Sequence, residues 1–154
     1  MKVEGEVRSA GRNLKHRSMA KTLRLEIITP DGVVYSADVD MVTLPAIEGQ
    51  MGVLPEHIRL MTQMEPGEMI VHRNGRDEFL AVGGGLIEVT GDRVSILTDM
   101  AIAADKIDDA KVEEARQRAE ARLRDKLSDE EVASVNAALA RSLAQLHVKR
   151  RRHH

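Results

Sequence analysis

The chain has 154 residues and a mass of 17.1 kDa, enough for one small domain with an appendage and too little for two large ones. Its 23 Lys and Arg against 25 Asp and Glu leave a net charge of -2, which excludes the strong cationic field of a dedicated nucleic-acid binder; Tyr35 and Phe79 are its only aromatic residues, so base-stacking platforms and aromatic cages have no material. Cysteine is absent, which excludes disulfides, thiolate metal sites and a cysteine nucleophile, and no apolar run approaches the roughly 20 residues that a spanning helix needs.

The charge is divided unevenly along the chain. Residues 1–21 carry six basic and two acidic side chains, 22–104 carry five and thirteen, and 105–154 carry twelve and ten. The leader, 1–21, lacks apolar periodicity and is expected to be a disordered basic extension; a second start at Met19 and an Arg-rich transit peptide are the alternatives, with Glu4 and Glu6 against the latter. From Leu23 to about Thr98 apolar residues recur with a period of two between closely spaced turn residues, which predicts eight to ten short antiparallel strands in a small β-sandwich or barrel over 22–104. Leu23, Leu25 and Ile27 alternate with Arg24 and Glu26 before the turn Pro30-Asp31-Gly32, and strands follow at Val33 and at Val39 to Leu44. A Gly- and Pro-rich loop is expected from Ala46 to Pro55, then a short strand at Leu60 to Met64, and then a hairpin whose arms flank Asn74-Gly75. Gly83-Gly84-Gly85 separates that hairpin from strands at Leu86 to Thr90 and Val94 to Leu97, and reads as a bulge or bend because no phosphate-loop lysine or helix follows it.

After Asp99 the period becomes helical. Asp105 or Asp108 is expected to cap a helix that runs to about Leu127, and Ser128-Asp129-Glu130-Glu131 has the form of a capping box for a second helix carrying Val132, Val135, Leu139, Leu143 and Leu146. The link of one or two residues predicts an antiparallel hairpin over 105–148, followed by a basic tail at 149–154. Its facing surfaces are expected to be alanine-rich, with Ala115 and Ala119 opposite Ala133, Ala137, Ala140 and Ala144, which buries little area and suggests a mobile element. The six histidines show no i, i+4 pair on a helix, so no metal site is expected, and no nucleophile elbow or paired-carboxylate site marks the chain as an enzyme. Met41, Met51, Met61, Met64 and Met69 read equally as core filler and as an adaptable protein-binding face.

Four strings carry a resemblance: Leu25-Glu26-Ile27-Ile28-Thr29-Pro30-Asp31-Gly32-Val33-Val34-Tyr35-Ser36, Glu48-Gly49-Gln50-Met51-Gly52-Val53-Leu54-Pro55-Glu56-His57, Gly84-Gly85-Leu86-Ile87-Glu88-Val89 and Val94-Ser95-Ile96-Leu97-Thr98-Asp99. In this order, and followed by a charged helical hairpin, they resemble the epsilon subunit of bacterial F-type ATP synthase, the counterpart of the mitochondrial delta subunit. The resemblance covers about residues 22–148. It implies a non-catalytic rotor subunit at the cytoplasmic face of the cell membrane, one that couples proton or sodium translocation through the c-subunit ring to ATP synthesis and has the gamma subunit and that ring as partners. The loop matching the family's ring- and stalk-facing segment holds Glu48, Gln50, Glu56 and His57; Gln50 stands where the family often has an acid and Glu56 where it often has glycine. In relatives the hairpin can leave the sandwich and block hydrolysis by meeting the beta subunit, a role that would fall here to Arg122, Arg141, Lys149 and Arg150, whose other reading is a solvated, salt-bridged helix face. Some relatives hold ATP on the folded hairpin; the matching residues are Ile107, Asp108, Lys111 and Arg118. Lys111 replaces an arginine and loses its bidentate fork, so ATP is expected to be at most a weak regulatory ligand and no cofactor is expected. The reading outside the resemblance is a free-standing adaptor that binds acidic proteins or RNA through its basic tail.

Overall fold

In the computed structural model, which describes residues 21–153, the period-two stretch forms ten strands. They are β1 (Leu23–Thr29), β2 (Gly32–Val39), β3 (Met41–Ala46), β4 (Gly49–Val53), β5 (His57–Met64), β6 (Gly67–Arg73), β7 (Arg76–Val82), β8 (Gly85–Gly91), β9 (Arg93–Thr98) and β10 (Ala101–Ala103). The expected leader, apart from Lys21, lies outside the described residues. Strand neighbours run β10-β7-β6-β3-β5-β8-β9-β1-β2, with β4 paired to β3. All pairs are antiparallel except β1 with β9. Only Ala46 and Met64 join β3 to β5, and there the ribbon turns into two layers. At the far ends Tyr35 on β2 donates to Glu78 on β7 at 2.7 Å and ties the layers together.

Between the layers lies an aliphatic core. Leu25, Ile27, Ile87, Val89, Val94 and Ile96 face Val42, Leu44, Met69, Val71, Leu80 and Val82, all buried. Each fully buried Leu or Ile contributes about 1.5–3 kcal/mol, so leucine and β-branched side chains, with Met64 and Met69, supply most of what aromatic residues supply elsewhere. Asn74 (φ 55) and Gly75 (φ 74) form the expected hairpin turn, and the Asn74 N–H donates to Asp40 at 3.0 Å. The expected loop from Ala46 to Pro55 instead contains β4, paired along its length with β3. Two glycines dilute its alternation, so only Met51 and Val53 signal an inward face.

A single 3-10 turn (Ala104–Lys106) precedes α1 (Asp109–Arg122) and α2 (Asp129–His153). Asp108 rather than Asp105 caps α1, its carboxylate accepting from the N–H groups of Ala110 (3.1 Å) and Lys111 (3.3 Å). The first helix stops at Arg122, short of Leu127, because Arg124 and Asp125 close tight turns on Ala121 and Arg122 and the segment beyond is exposed but for Leu127. The capping box forms in full: Ser128 Oγ accepts from the Glu131 N–H at 3.2 Å, and the Glu131 carboxylate accepts from the Ser128 N–H at 3.0 Å. The second helix does not end before the basic run but carries it through to His153.

Four of the six expected seam alanines turn inward. Ala119 and Ala144 are buried and Ala115 and Ala140 half-buried, whereas Ala133 and Ala137 are exposed because Val135 and Ser142 take the buried stripe of α2. The hairpin docks with α2 over β6 and β7. Its anchor is a second cluster of Ala81, Ile107, Val112, Leu146 and Val148, flanked by Phe79, Met100, Ile102 and Ala104.

Candidate functional site

The residues expected to meet partners in one loop sit at the two ends of β4. Glu48 is exposed at the tip of the β3–β4 hairpin, where Gly49 takes φ 122 to turn the chain, and Gln50 is exposed opposite Pro45. Glu56 and His57 lie beyond the other end, a strand of five residues or about 16 Å away. Glu56 adopts φ 66, the left-handed conformation that glycine takes most readily, so the departure noted at this position falls on a backbone that favours the family's usual residue. The Glu56 carboxylate accepts a hydrogen bond from Lys21, which holds the Lys21 ammonium above its ordinary pKa. His57 is half-buried and donates from Nδ1 to the Ile58 carbonyl at 2.8 Å.

Beside the second of these ends lies a surface the alternation pattern passed over. On the outer face of β5-β8-β9-β1-β2 the register sets Leu86 beside Leu97, Leu97 beside Ile28 and Ile28 beside Val33. Leu97 (46%), Val33 (59%) and Met61 (60%) are strongly exposed, and Leu54 and Ile58 extend the apolar surface at the β4–β5 turn. The signal was in the sequence as apolar doublets: Ile27-Ile28, Val33-Val34, Leu86-Ile87 and Ile96-Leu97 place a large apolar residue on both phases of the alternation, which a strand buried on one face only does not need. The methionines divide along the same line. Met64 and Met69 fill the core, Met41 and Met51 are half-buried and Met61 stands on the apolar face.

The hairpin's candidate residues are largely engaged within the chain. Ile107 is buried in the docking cluster and the Asp108 carboxylate is used as the cap of α1. Lys111 is exposed, and Arg118 pairs with Glu114 at 3.4 Å. Arg122 pairs with Glu131 at 3.5 Å and Arg141 with Asp99 at 2.9 Å. Lys149 and Arg150 line a shallow cleft of about 390 Å³ between α1 and α2, with Asp109, Ala110, Glu113 and Leu146. Arg116 bonds both Glu113 and Glu120, the second at 2.9 Å, and its hydrogen bond holds the Glu113 carboxyl below the usual carboxylate range.

Among the described residues no group of His, Asp or Glu is placed to hold a metal ion. His72 is structural, its ring reaching Thr43 Oγ1 (3.1 Å) on β3 and Asp77 (2.7 Å) on β7. No helix of the described residues is long and apolar enough to cross a membrane.

A β-sandwich with an apolar row on one outer face, a polar hairpin tip and a helical hairpin docked on the opposite layer is built for contact with other proteins: it is a subunit of an assembly. The beta-sandwich domain of the ATP synthase delta/epsilon chain, as a family model, matches residues 22–104, and the long alpha-helix domain of the same chain matches residues 105–150. The chain is 43% identical over 130 residues to the ATP synthase epsilon chain of Herpetosiphon aurantiacus, covering 84% of this chain and 96% of that one. With the epsilon chain of Chloroflexus aggregans it shares 44% over 126 residues, covering 82% and 91%. A chain in the cryo-EM structure of the Euglena gracilis mitochondrial ATP synthase superposes with a TM-score of 0.68 at 24% identity, over 83% of this chain and 81% of that one, and shows the same fold. The chain belongs to the ATP synthase delta/epsilon family, as a non-catalytic epsilon-type subunit of the complex.

Proposed function

We propose that the chain is a rotor subunit of the central stalk, held by the gamma subunit through the apolar outer face and touching the c-subunit ring through the polar β3–β4 tip. The observation that carries this reading is the separation of surfaces. The row Leu86, Leu97, Ile28 and Val33 lies on one layer, the docked hairpin lies on the other, and Glu48 and Gln50 project from a tip distinct from both. An exposed apolar row of this kind matches a stable protein partner, and a polar tip matches the polar loops of a ring that turns with it. Ion flow through the ring, protons or sodium, would then reach the catalytic heads through this chain at the cytoplasmic face of the membrane. The hairpin supplies regulation. Released from the sandwich, it would bring Arg122, Arg141, Lys149 and Arg150 to an acidic surface of the beta subunit and slow hydrolysis. ATP binds the docked hairpin weakly or not at all, since Asp108 is engaged as a cap and Lys111 lacks the arginine fork.

The test is binding to the gamma subunit of the same organism. Leu97→Arg places a charge in the middle of the apolar row and is expected to weaken binding about tenfold or more. Glu48→Lys, at the tip, is expected to leave gamma binding unchanged and to lower ion-driven ATP synthesis in the reassembled complex. Parental gamma affinity in Leu97→Arg would remove the assignment of that face. Deletion of residues 105–154 is expected to raise the hydrolysis rate of the complex, and an unchanged rate would end the inhibitory role.

A further inference from the structure

The second helix crosses the sandwich over the turn that joins β9 to β10, and the polar chemistry of that crossing is concentrated in one place. Arg141 donates from Nη1 to Asp99 Oδ2 at 2.9 Å. One helical turn further on, Gln145 donates from Nε2 to Met100 Sδ at 3.1 Å. The Asp99 carboxylate occupies space that exists only because residue 83 is glycine: a Cβ there would lie 1.9 Å from Asp99 Oδ1 and 3.5 Å from Arg141 Cδ. Gly83 is buried and its N–H donates to the Met100 carbonyl at 2.9 Å, so the strand end cannot slide away to make room. Its φ is not among the positive values, so space and not backbone conformation is what this position requires. Thr98 fixes the turn from the other side, its hydroxyl donating to the Gly84 carbonyl at 3.0 Å.

We infer that Asp99, Arg141 and Gly83 form a latch that sets how often the hairpin leaves the sandwich. The latch also withholds Arg141 from any outside carboxylate or phosphate for as long as the hairpin is docked. This deepens the regulatory reading of the hairpin and rests on it. Beside the hydrogen bond from Gln145 to Met100, the docking surface is mainly a small apolar cluster with little direction, so the ion pair helps to fix where along α2 the helix seats. Arg141 and Asp99 are 33% and 47% exposed, and such a pair shifts an equilibrium by a small factor, which suits a switch that has to open. An acidic partner that captures Arg141 competes directly with Asp99, so release of the hairpin and engagement of the partner are one exchange of carboxylates.

The experiment is amide hydrogen exchange on the full isolated chain, followed in α2, for Asp99→Asn, Arg141→Gln and the double variant. Each single substitution is expected to speed exchange in α2 about three- to fivefold, with the double variant no faster than the faster single, while the strands of the sandwich keep their rates. Gly83→Ala, which pushes the carboxylate out, is expected to speed α2 exchange by the same factor in the parent and to add nothing in an Asp99→Ala background. Additive single effects, parental rates in the singles, or an equal Gly83→Ala effect in both backgrounds would each overturn the latch. If Gly83→Ala unfolds the sandwich, the Asp99 and Arg141 cycle decides alone. Because the isolated chain contains no catalytic subunits, the exchange result stands apart from the regulatory reading. Faster exchange with unchanged hydrolysis in the complex would leave the latch and remove the inhibition.

Discussion

The sandwich and the hairpin are two solutions to the same problem of holding structure with only two aromatic residues, Tyr35 and Phe79. The sandwich closes sixteen buried residues into one aliphatic cluster, while the hairpin rests on five, and most of α1 and the start of α2 are exposed. In place of area the hairpin uses local devices: an aspartate cap, a capping box, ion pairs along α1 and the Arg141–Asp99 ion pair to the sandwich. Such devices contribute tenths of a kcal/mol to about 1 kcal/mol each, against about 1.5–3 for a buried leucine. One chain thus holds a firmly packed scaffold and a part whose attachment is weak enough to be reversed.

Truncation in the sandwich core is expected to have the largest effect. Leu25→Ala removes a side chain with no exposure, and is expected to cost about 2–5 kcal/mol and lower the melting temperature of the sandwich by about 10 °C or more. Leu146→Ala, in the small cluster, is expected to speed exchange in α2 and to leave the sandwich's melting temperature within about 2 °C of the parent. A joint melt of both regions in Leu146→Ala, read by calorimetry with strand-resolved exchange, would show that scaffold and hairpin are one cooperative unit.

The hairpin's reliance on local devices can be sharpened through its second helix. Ser128→Ala removes half of the capping box and is expected to cost α2 about 1 kcal/mol, seen as faster exchange in its first two turns. Hydrogen bonds from Ser128 hold the Glu131 carboxyl below the usual range, and Arg116 does the same for Glu113. A carboxylate whose folded pKa is depressed adds stability above its ordinary pKa and loses it as pH falls through the folded value. The helical circular dichroism signal of the parent is therefore expected to start falling below about pH 4, and less steeply in Ser128→Ala, whose glutamate has less to lose. An identical acid limb in both proteins would place the pH sensitivity elsewhere.

What the sequence made legible followed the strength of each physical signal. Long alternations such as Leu23 to Ile27 and the pair Asn74-Gly75 located strands and a turn, since both are local rules with one geometric answer. β4 escaped because two glycines in five residues leave almost no alternation to read, and because its order comes from pairing with β3. The four residues Glu48, Gln50, Glu56 and His57 looked like one loop for the same reason, and the strand between them gives two separate surfaces. The latch had no local signature at all. In sequence Gly83 reads as part of a bulge or bend, Asp99 as the point where the period changes and Arg141 as a residue of a charged helix face, and only the docking of α2 across the β9–β10 turn brings them together. Contacts formed between distant segments are set by how whole elements pack, which no window of sequence contains.

The smallest effect tests the scaffold at its one strained non-glycine position outside the Asn74-Gly75 turn among the described residues. Glu56 holds φ 66, where an L-residue with a Cβ is held at a cost of about 1 kcal/mol that glycine does not incur. Replacing it also removes the Lys21 ion pair, but both partners are well exposed, at 66% and 60% of the side chain, and such a pair contributes little. Glu56→Gly is therefore expected to raise stability by about 0.5 kcal/mol, visible as a small rise in urea midpoint with no change in slope. A loss of stability would mean that the carboxylate, anchored by Lys21 just before β1, fixes the turn entering β5 more firmly than the backbone resists it.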